Sequence, residues 1–413
     1  MEFYPFQKEI LEKTKGLDKV AYYLDMGLGK TFVGSEHAVE LGKPILCVCQ
    51  KSKVQDWVEH FNEYYFLPVY DLTKKSQYEY LINSCVTTNF VAIINYDILF
   101  RREELITFFN RRAFTLILDE SSLIQHYNTK RTKAVFKLKF KNIVLLSGTP
   151  CSGKYENLVT QCWLLGWDIS KKEFWNNFVI SKIWTGAPIP IEIVVGYKNV
   201  DLLKEKLREY NSTFLLTKDC FSLPSQTFSD VKIENNKEYK KAFETKVING
   251  EPAKSTLALF TGLRQLTNSK EKIEAYKDLL ESTNDRLIVF YNFDEELKNL
   301  RLATKDRPIS IINGKIKDLN AYEKDDNSIT FIQYQSGAMG LNLQKANKII
   351  YYAPPLSSEL YQQSMKRIHR IGQEQPCFYY RFITKNSLEE KIYFSLERHE
   401  DYTLRLFDDI MKK

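Results

Sequence analysis

Short, continuous apolar runs alternate with amphipathic stretches along the first part of the chain. VAYYL (20–24), PILCVC (44–49), FVAIINY (90–96), FTLILDE (114–120) and NIVLLSG (142–148) read as strands, and KTFVGSEHAVELG, VQDWVEHFNEYY and TKAVFKLK carry helical spacing. A strand that is apolar along its whole length has to be covered on both faces, so the pattern predicts a parallel sheet flanked by helices. The same rhythm returns later in RLIVFYN (286–292), ISIING (309–314), SITFIQY (328–334), KIIYYAP (348–354) and FYYRFIT (378–384). Between the two series, over about 155–225, the rhythm breaks. This stretch holds Trp163, Trp167, Trp175 and Trp184 and the loop-like TGAPIPIEIVVGYKN, and it reads as helical with an irregular excursion. SLPSQTFSD (222–230) is polar, contains a proline and reads as a linker. Two α/β units are expected, 1–225 and 226–413.

Composition narrows this little. The 413 residues suit two or three domains at about 150 residues each. With 44% hydrophobic and 27% charged residues the chain can bury more than one core. A net charge of +7 suits a polyanionic partner without establishing one. The seven cysteines show no C-x-x-C pair, which argues against a disulfide scaffold and structural zinc. The five histidines form no metal spacing. The start, MEFYPFQKEI, is charged and unlike a signal peptide, and no run of ~18 apolar residues predicts a membrane span. The expectation is a cytoplasmic protein with no membrane partner.

Asp25-Met-Gly27-Leu-Gly29-Lys30-Thr31 follows a predicted strand and opens a predicted helix, the context a phosphate-binding loop requires. Glycines let backbone N–H groups approach phosphate oxygens at a helix N-terminus. In such a loop Lys30 reaches the β- and γ-phosphates of ATP and the Thr31 hydroxyl binds Mg²⁺. The strict pattern has glycine at position 24, where this chain has Leu24. The bland alternative is a glycine-rich turn. Asp119 and Glu120, closing a later apolar strand, supply the complementary acids: Asp119 for Mg²⁺ and Glu120 to orient or deprotonate water. Alone, such a pair is an ordinary solvated strand end.

The order GLGKT, LDES, LLSGTP, GLNL and QSMKRIHRIGQ resembles the Swi/Snf-like ATPases of helicase superfamily two, from Phe6-Gln7 to about residue 395, most specifically at His369–Gln373. The resemblance implies an α/β fold of two RecA-like lobes, with a helical insertion at about 155–225, using ATP and Mg²⁺. It implies that Gln7 reads the adenine edge and that Cys49-Gln50-Lys51-Ser52 and Asn95-Tyr96 touch the nucleic-acid backbone. Ser147-Gly148-Thr149 is then the coupling element, and Gly337–Asn342, including Gly340, senses both ATP and the strand. Gln363, Arg367 and Arg370 belong to the motif whose arginines complete the ATP site. The short length, LDMGLGKT and DESS resemble compact members carried by phages and mobile elements. The implied partner is double-stranded DNA, read largely without sequence preference, with phage or host replication and recombination proteins beside it and a monomeric motor.

Five positions depart from the family pattern. Ser122 stands for the histidine of D-E-x-H, Asp25 is alone where an acidic pair is usual, Gln335 and Lys366 replace an arginine and an acid, and Leu216-Thr217-Lys218 replaces a double arginine. Gln363, Arg367 and Arg370 at i, i+4 and i+7 would share one helix face, where guanidinium groups can meet phosphate bidentately; the plain alternative is a solvated basic face. Lys51, Lys53, Arg131, Lys133 and Lys315 are candidate phosphate contacts or ordinary surface charges, and the tryptophans of the insertion are either a base-stacking platform or core. Three functions fit: a DNA-stimulated ATPase translocating on duplex DNA in replication, recombination or protein displacement, a strand-separating DNA or RNA helicase, and a nucleotide-gated binding switch.

Overall fold

Every residue of the strands Ile45–Cys49, Val91–Asn95, Thr115–Asp119 and Asn142–Leu146 is buried, as expected of strands covered on both faces. The computed structural model describes all residues except 1, 85, 87, 152, 185–189, 305, 335–340 and 409–413. The chain divides between Cys220 and Phe221 into two compact units.

In the first unit, strands β1 (Lys19–Leu24), β2 (Ile45–Cys49), β3 (Val69–Asp71), β4 (Val91–Asn95), β5 (Thr115–Asp119) and β6 (Asn142–Leu146) are followed by the pair β7 (Val179–Trp184) and β8 (Ile191–Tyr197), and then by β9 (Ser212–Leu215). The main sheet runs β3-β4-β2-β5-β6-β1-β9 and is parallel throughout. Helix α1 (Pro5–Thr14) precedes β1, α2 (Lys30–Glu40) follows it, and α3 (Val54–Tyr64) follows β2. On α3, Val54, Trp57 and Phe61 recur at helical spacing and are buried. Burying Val54 and Phe61 contributes about 1.5–3 kcal/mol each.

The middle stretch is not simply helical. The helices Val159–Leu165, Lys171–Phe178 and Val200–Glu209 share it with the antiparallel hairpin β7–β8. The β-branched run in IEIVVGY forms β8 despite the prolines before it. Trp175 Nε1 donates to Glu192 Oε1 at 3.1 Å, pinning the hairpin to the preceding helix. Trp167 is buried against Phe174, Phe178 and Tyr210, and Trp163 donates to the Ile169 carbonyl, so these two rings pack the fold rather than offering a platform.

The second unit adds β10 (Gln226–Ile233), a short hairpin of β11 (Val247–Ile248) and β12 (Glu251–Pro252), then β13 (Leu287–Tyr291), β14 (Ile309–Ile312), β15 (Lys317–Asp318), β16 (Ile329–Gln333), β17 (Lys348–Tyr351) and β18 (Cys377–Thr384). Its sheet runs β10-β18-β17-β13-β16-β14-β15, parallel except for β15. Most of the expected linker therefore lies in β10: QTFSD is exposed along most of its length and forms the sheet edge, paired with β18. Each unit is a RecA-like arrangement of a mainly parallel sheet between helices. No helix among the described residues is long and apolar enough to cross a membrane.

Candidate active site

β5, β6 and β1 are consecutive in the first sheet, so the loops leaving their C-terminal ends lie side by side. That edge is where parallel α/β sheets hold ligands. It carries Asp25–Thr31 after β1, Asp119-Glu120 at β5 and Ser147–Thr149 after β6.

Leu24 is the last residue of β1, buried and in register with Leu215 of β9, so the position where the strict pattern has glycine is here part of the sheet. The turn begins at Asp25. Gly27 and Gly29 adopt φ of 87° and 72°, a region open to glycine, and Gly29 caps α2 so that Lys30 begins the helix. Lys30 Nζ rests on the carbonyls of Leu24 (3.1 Å) and Asp25 (3.5 Å), and a Cβ at Gly148 would come within 3.2 Å of it. An ammonium held by neutral carbonyls at a helix N-terminus fits a phosphate chain. Gln7 is buried against this turn: its Nε2 donates to the Leu28 carbonyl at 2.9 Å and its Oε1 accepts the Tyr4 N–H at 2.9 Å. The structure thus brings Gln7 and the glycine turn together.

Asp119 is 9% exposed. Its Oδ2 accepts the Trp57 indole N–H at 2.9 Å and its Oδ1 the Glu120 N–H at 3.1 Å. Burial pushes its carboxyl above the ordinary carboxylate range, and the Trp57 hydrogen bond pulls back. Asp119 and the Thr31 hydroxyl are the hard-oxygen donors of these two loops, the ligand type that suits Mg²⁺. Glu120 takes a left-handed backbone, φ 50° and ψ 60°, sparsely occupied by non-glycine residues. Its Oε2 accepts a long hydrogen bond, 3.5 Å, from the Ser147 hydroxyl, which in turn accepts the Thr149 N–H at 3.1 Å.

Ser122 is buried where the family pattern has histidine, and the neighbouring Ser121 carries the connection. Its hydroxyl donates to Gln161 Oε1 at 2.7 Å, Tyr23 OH donates to the same oxygen at 3.0 Å, and Gln161 Nε2 donates to the Pro150 carbonyl at 2.7 Å. One buried amide therefore joins the strand before the glycine turn, the acid motif and the segment after Thr149.

Lys51, Ser52 and Lys53 form one 3-10 turn between β2 and α3, with Lys51 exposed. Asn95 and Tyr96 differ from the expectation. Both side chains are buried, and Tyr96 OH donates to the Asp119 carbonyl at 2.9 Å, so neither side chain lies on a surface where a strand could touch it. Arg131 and Lys53 form exposed ion pairs with Asp97 and Asp56.

In the second unit Gly340 lies outside the described residues. The expected arginine helix is shorter than predicted. It spans Ser358–Met365, and Arg367 and Arg370 sit in the turns that follow. The chain leaves the helical path because Arg367's carbonyl accepts the Leu343 N–H (3.1 Å), His369 Nε2 meets the Pro224 carbonyl (2.9 Å), and Gln373 Nε2 donates to the carbonyls of Gln344, Ala346 and Ile368. Both guanidinium groups still converge: Arg367 Nη1 and Arg370 Nη1 donate to the Leu341 carbonyl at 3.3 and 3.5 Å, and Arg370 also bonds Asn342 Oδ1. Gln363 is buried, its Nε2 on Glu359 of the same helix at 3.0 Å. Trp57 and Gln161 touch these motifs and carry no local sequence signal, and Thr217, marked in the sequence only as part of a departure from the family pattern, meets Asp25. The spacing of Trp57 and Gln161 marks core positions, and only the polar atom on each side chain hinted at more.

A family model described as SNF2-related domain matches residues 15–286, and one described as helicase conserved C-terminal domain matches residues 271–372. An uncharacterized ATP-dependent helicase of Mycoplasma pneumoniae is 24% identical over 468 residues, covering 98% of this chain and 42% of the relative. One from Bacillus subtilis is 23% identical, covering 93% of this chain and 75% of the relative. The solved Sulfolobus solfataricus SWI2/SNF2 ATPase core in complex with dsDNA superposes with a TM-score of 0.46 at 20% identity, over 100% of this chain and 93% of that one. The chain spans less than half the length of the mycoplasma relative.

Proposed function

The chain belongs to the SNF2-related family, and from that premise we propose that it is an ATP hydrolase, stimulated by DNA, that translocates along duplex DNA. The observation that carries this reading is the Asp119-Glu120 pair. One carboxylate is buried and fixed by hydrogen bonds, and the next is turned away from it by a left-handed backbone. A binding switch has no need of a second carboxylate held in a strained conformation, whereas hydrolysis needs one acid for metal and one for water.

In the proposed cycle Lys30 exchanges the carbonyls of Leu24 and Asp25 for the β- and γ-phosphates, while the N–H groups around Gly27 and Gly29 cradle the chain. Thr31 and Asp119 would hold Mg²⁺, which when bound would supply the positive charge that offsets charge on the transferring group. Glu120 orients the attacking water. Arg367 and Arg370 exchange the Leu341 carbonyl for the γ-phosphate, where charge develops. Gln7 faces the base, and Gly340 and Gln363 stay candidate nucleotide contacts. Lys51, Ser52 and Asn342 are the proposed side-chain contacts to the DNA backbone. The Sulfolobus ATPase core was solved on dsDNA, which agrees with a duplex substrate.

The test is the ATPase rate with duplex DNA, single-stranded DNA, RNA and no polymer. The expected result is the largest stimulation by duplex DNA, with displacement of a third strand from a triplex and no unwinding of a forked duplex. Equal rates in all four conditions would overturn the motor reading, and unwinding would replace translocation with strand separation.

A further inference from the structure

Asp119 is held by two side chains that the nucleotide chemistry does not use. Trp57, 1% exposed on α3, donates from Nε1 to Oδ2 at 2.9 Å, and Tyr96 donates to the Asp119 carbonyl at 2.9 Å. A buried indole N–H must find an acceptor, and most side-chain hydrogen bonds go to backbone or water. Here the acceptor is the carboxylate expected to bind metal. Each carboxylate oxygen can accept in about two directions. Glu120's N–H occupies one direction on Oδ1 and the indole one on Oδ2, so Trp57 fixes the rotation of the group and the directions it has left to offer.

Trp57 is also connected in the other direction. It lies one helical turn past Lys53, and α3 continues directly from the turn Lys51–Lys53. Trp57 stacks on Phe61, at a centroid separation of 5.7 Å, and meets His60 edge-on at 5.8 Å, so its ring cannot move independently of the helix. We propose that Trp57 is a positioning residue, which aims the Asp119 carboxylate for its metal and transmits a shift of the Lys51–Lys53 turn, when a polyanion engages it, to that carboxylate. This inference rests on the ATP-hydrolase reading for its metal and its polymer.

Trp57→Phe keeps an aromatic ring and removes the donor. With saturating ADP, Mn²⁺ affinity measured by electron paramagnetic resonance should fall about tenfold, the usual effect of losing an orienting partner of a metal ligand. ADP affinity without metal should stay unchanged. The ratio of ATPase rates with and without duplex DNA should fall toward one. Phe61→Leu, which disturbs the same packing without touching Asp119, should lower stability and leave Mn²⁺ affinity alone. If Trp57→Phe misfolds, benzothienylalanine at position 57 removes only the N–H and retains the shape. Unchanged Mn²⁺ affinity and an unchanged stimulation ratio in a folded variant would overturn the proposal, as would an equal loss of Mn²⁺ affinity in Phe61→Leu. A wild-type protein that DNA does not stimulate would instead overturn the parent reading, and Mn²⁺ affinity would still decide the Trp57 contact.

Discussion

The Asp25 carboxylate accepts two hydrogen bonds at Oδ2 from Thr217, one from the hydroxyl at 3.0 Å and one from the backbone N–H at 3.4 Å. Its other oxygen accepts the Met26 N–H at 2.8 Å, so the residue that starts the glycine turn is tied to the helix Thr217–Cys220 from the far end of the same unit. Two departures from the family pattern meet here. The lone acid at position 25 and Thr217, within the Leu216-Thr217-Lys218 that stands in place of a double arginine, are the two sides of one contact.

Thr217→Val tests this contact with little change in shape. Removing the hydroxyl leaves a carboxylate that is 6% exposed with fewer donors, a change of about 1–3 kcal/mol. Thermal unfolding should show the loss, and binding of a fluorescent ATP analogue should weaken, because the anchor of the glycine turn has been loosened. Wild-type nucleotide affinity in a destabilised variant would separate the contact from the turn's function.

The two glycines of the turn differ in what holds them. A Cβ on Gly27 would meet nothing within 4 Å, so Gly27→Ala carries only the left-handed backbone term, about 1 kcal/mol. A Cβ on Gly29 would also collide with Gln7 Nε2. Gly29→Ala should therefore weaken nucleotide binding and stability more than Gly27→Ala. Combining Gly29→Ala with Gln7→Ala should recover the steric part and leave the backbone part, a coupling of about 1 kcal/mol in a double-mutant cycle. Additive effects would show that Gln7 does not press on the turn.

Periodicity was enough for the sheets, because five strands of each unit are apolar along nearly their whole length and admit one kind of environment. It was not enough at the edges. β3 has three residues, β9 alternates in exposure, and β10 is exposed over most of its length, so that the polar SLPSQTFSD reads as a linker. The glycine turn and acid pair were legible because their chemistry sits within a few consecutive residues. Trp57, Gln161 and Thr217 act across 62, 40 and 192 positions of sequence, and no local pattern encodes such a contact. The arginine motif misled in another way. Its i, i+4, i+7 spacing is helical, yet the carbonyl and imidazole contacts of Arg367, His369 and Gln373 draw the chain into turns, and the arginines converge on Leu341 by that route.

Glu120 couples stability to function. Its left-handed backbone is strained for a glutamate, whereas asparagine tolerates that conformation. Glu120→Asn should raise the urea midpoint of unfolding, worth about 0.5–1 kcal/mol. It should also abolish ATP turnover while nucleotide still binds. A destabilised Glu120→Asn protein would mean that the side-chain contacts of Glu120, the long Ser147 hydrogen bond among them, outweigh the backbone strain.

His60 predicts how the site responds to acid. Burial pushes its imidazole down to about 4, with the Glu63 charge acting weakly in the opposite sense. Its Nε2 lies 2.7 Å from the Ser35 hydroxyl on α2, the helix that begins at Lys30, and Ser35 also meets Tyr65 OH, which donates to Glu36. Because the folded value lies below the unfolded one, about 6.5, the unfolded chain binds the extra proton in between. Stability therefore rises with pH across that window and falls on acidification from about 6.5 to about 4, by at most about 1.4 kcal/mol per pH unit from this one group. His37 on the same helix, also lowered by burial, adds in the same direction. The check is urea unfolding of the wild type and His60→Gln at pH 7 and pH 5. Gln can still meet Ser35 but cannot titrate, so its loss of stability between the two pH values should be smaller. Equal losses in the two proteins would place the acid sensitivity elsewhere than His60.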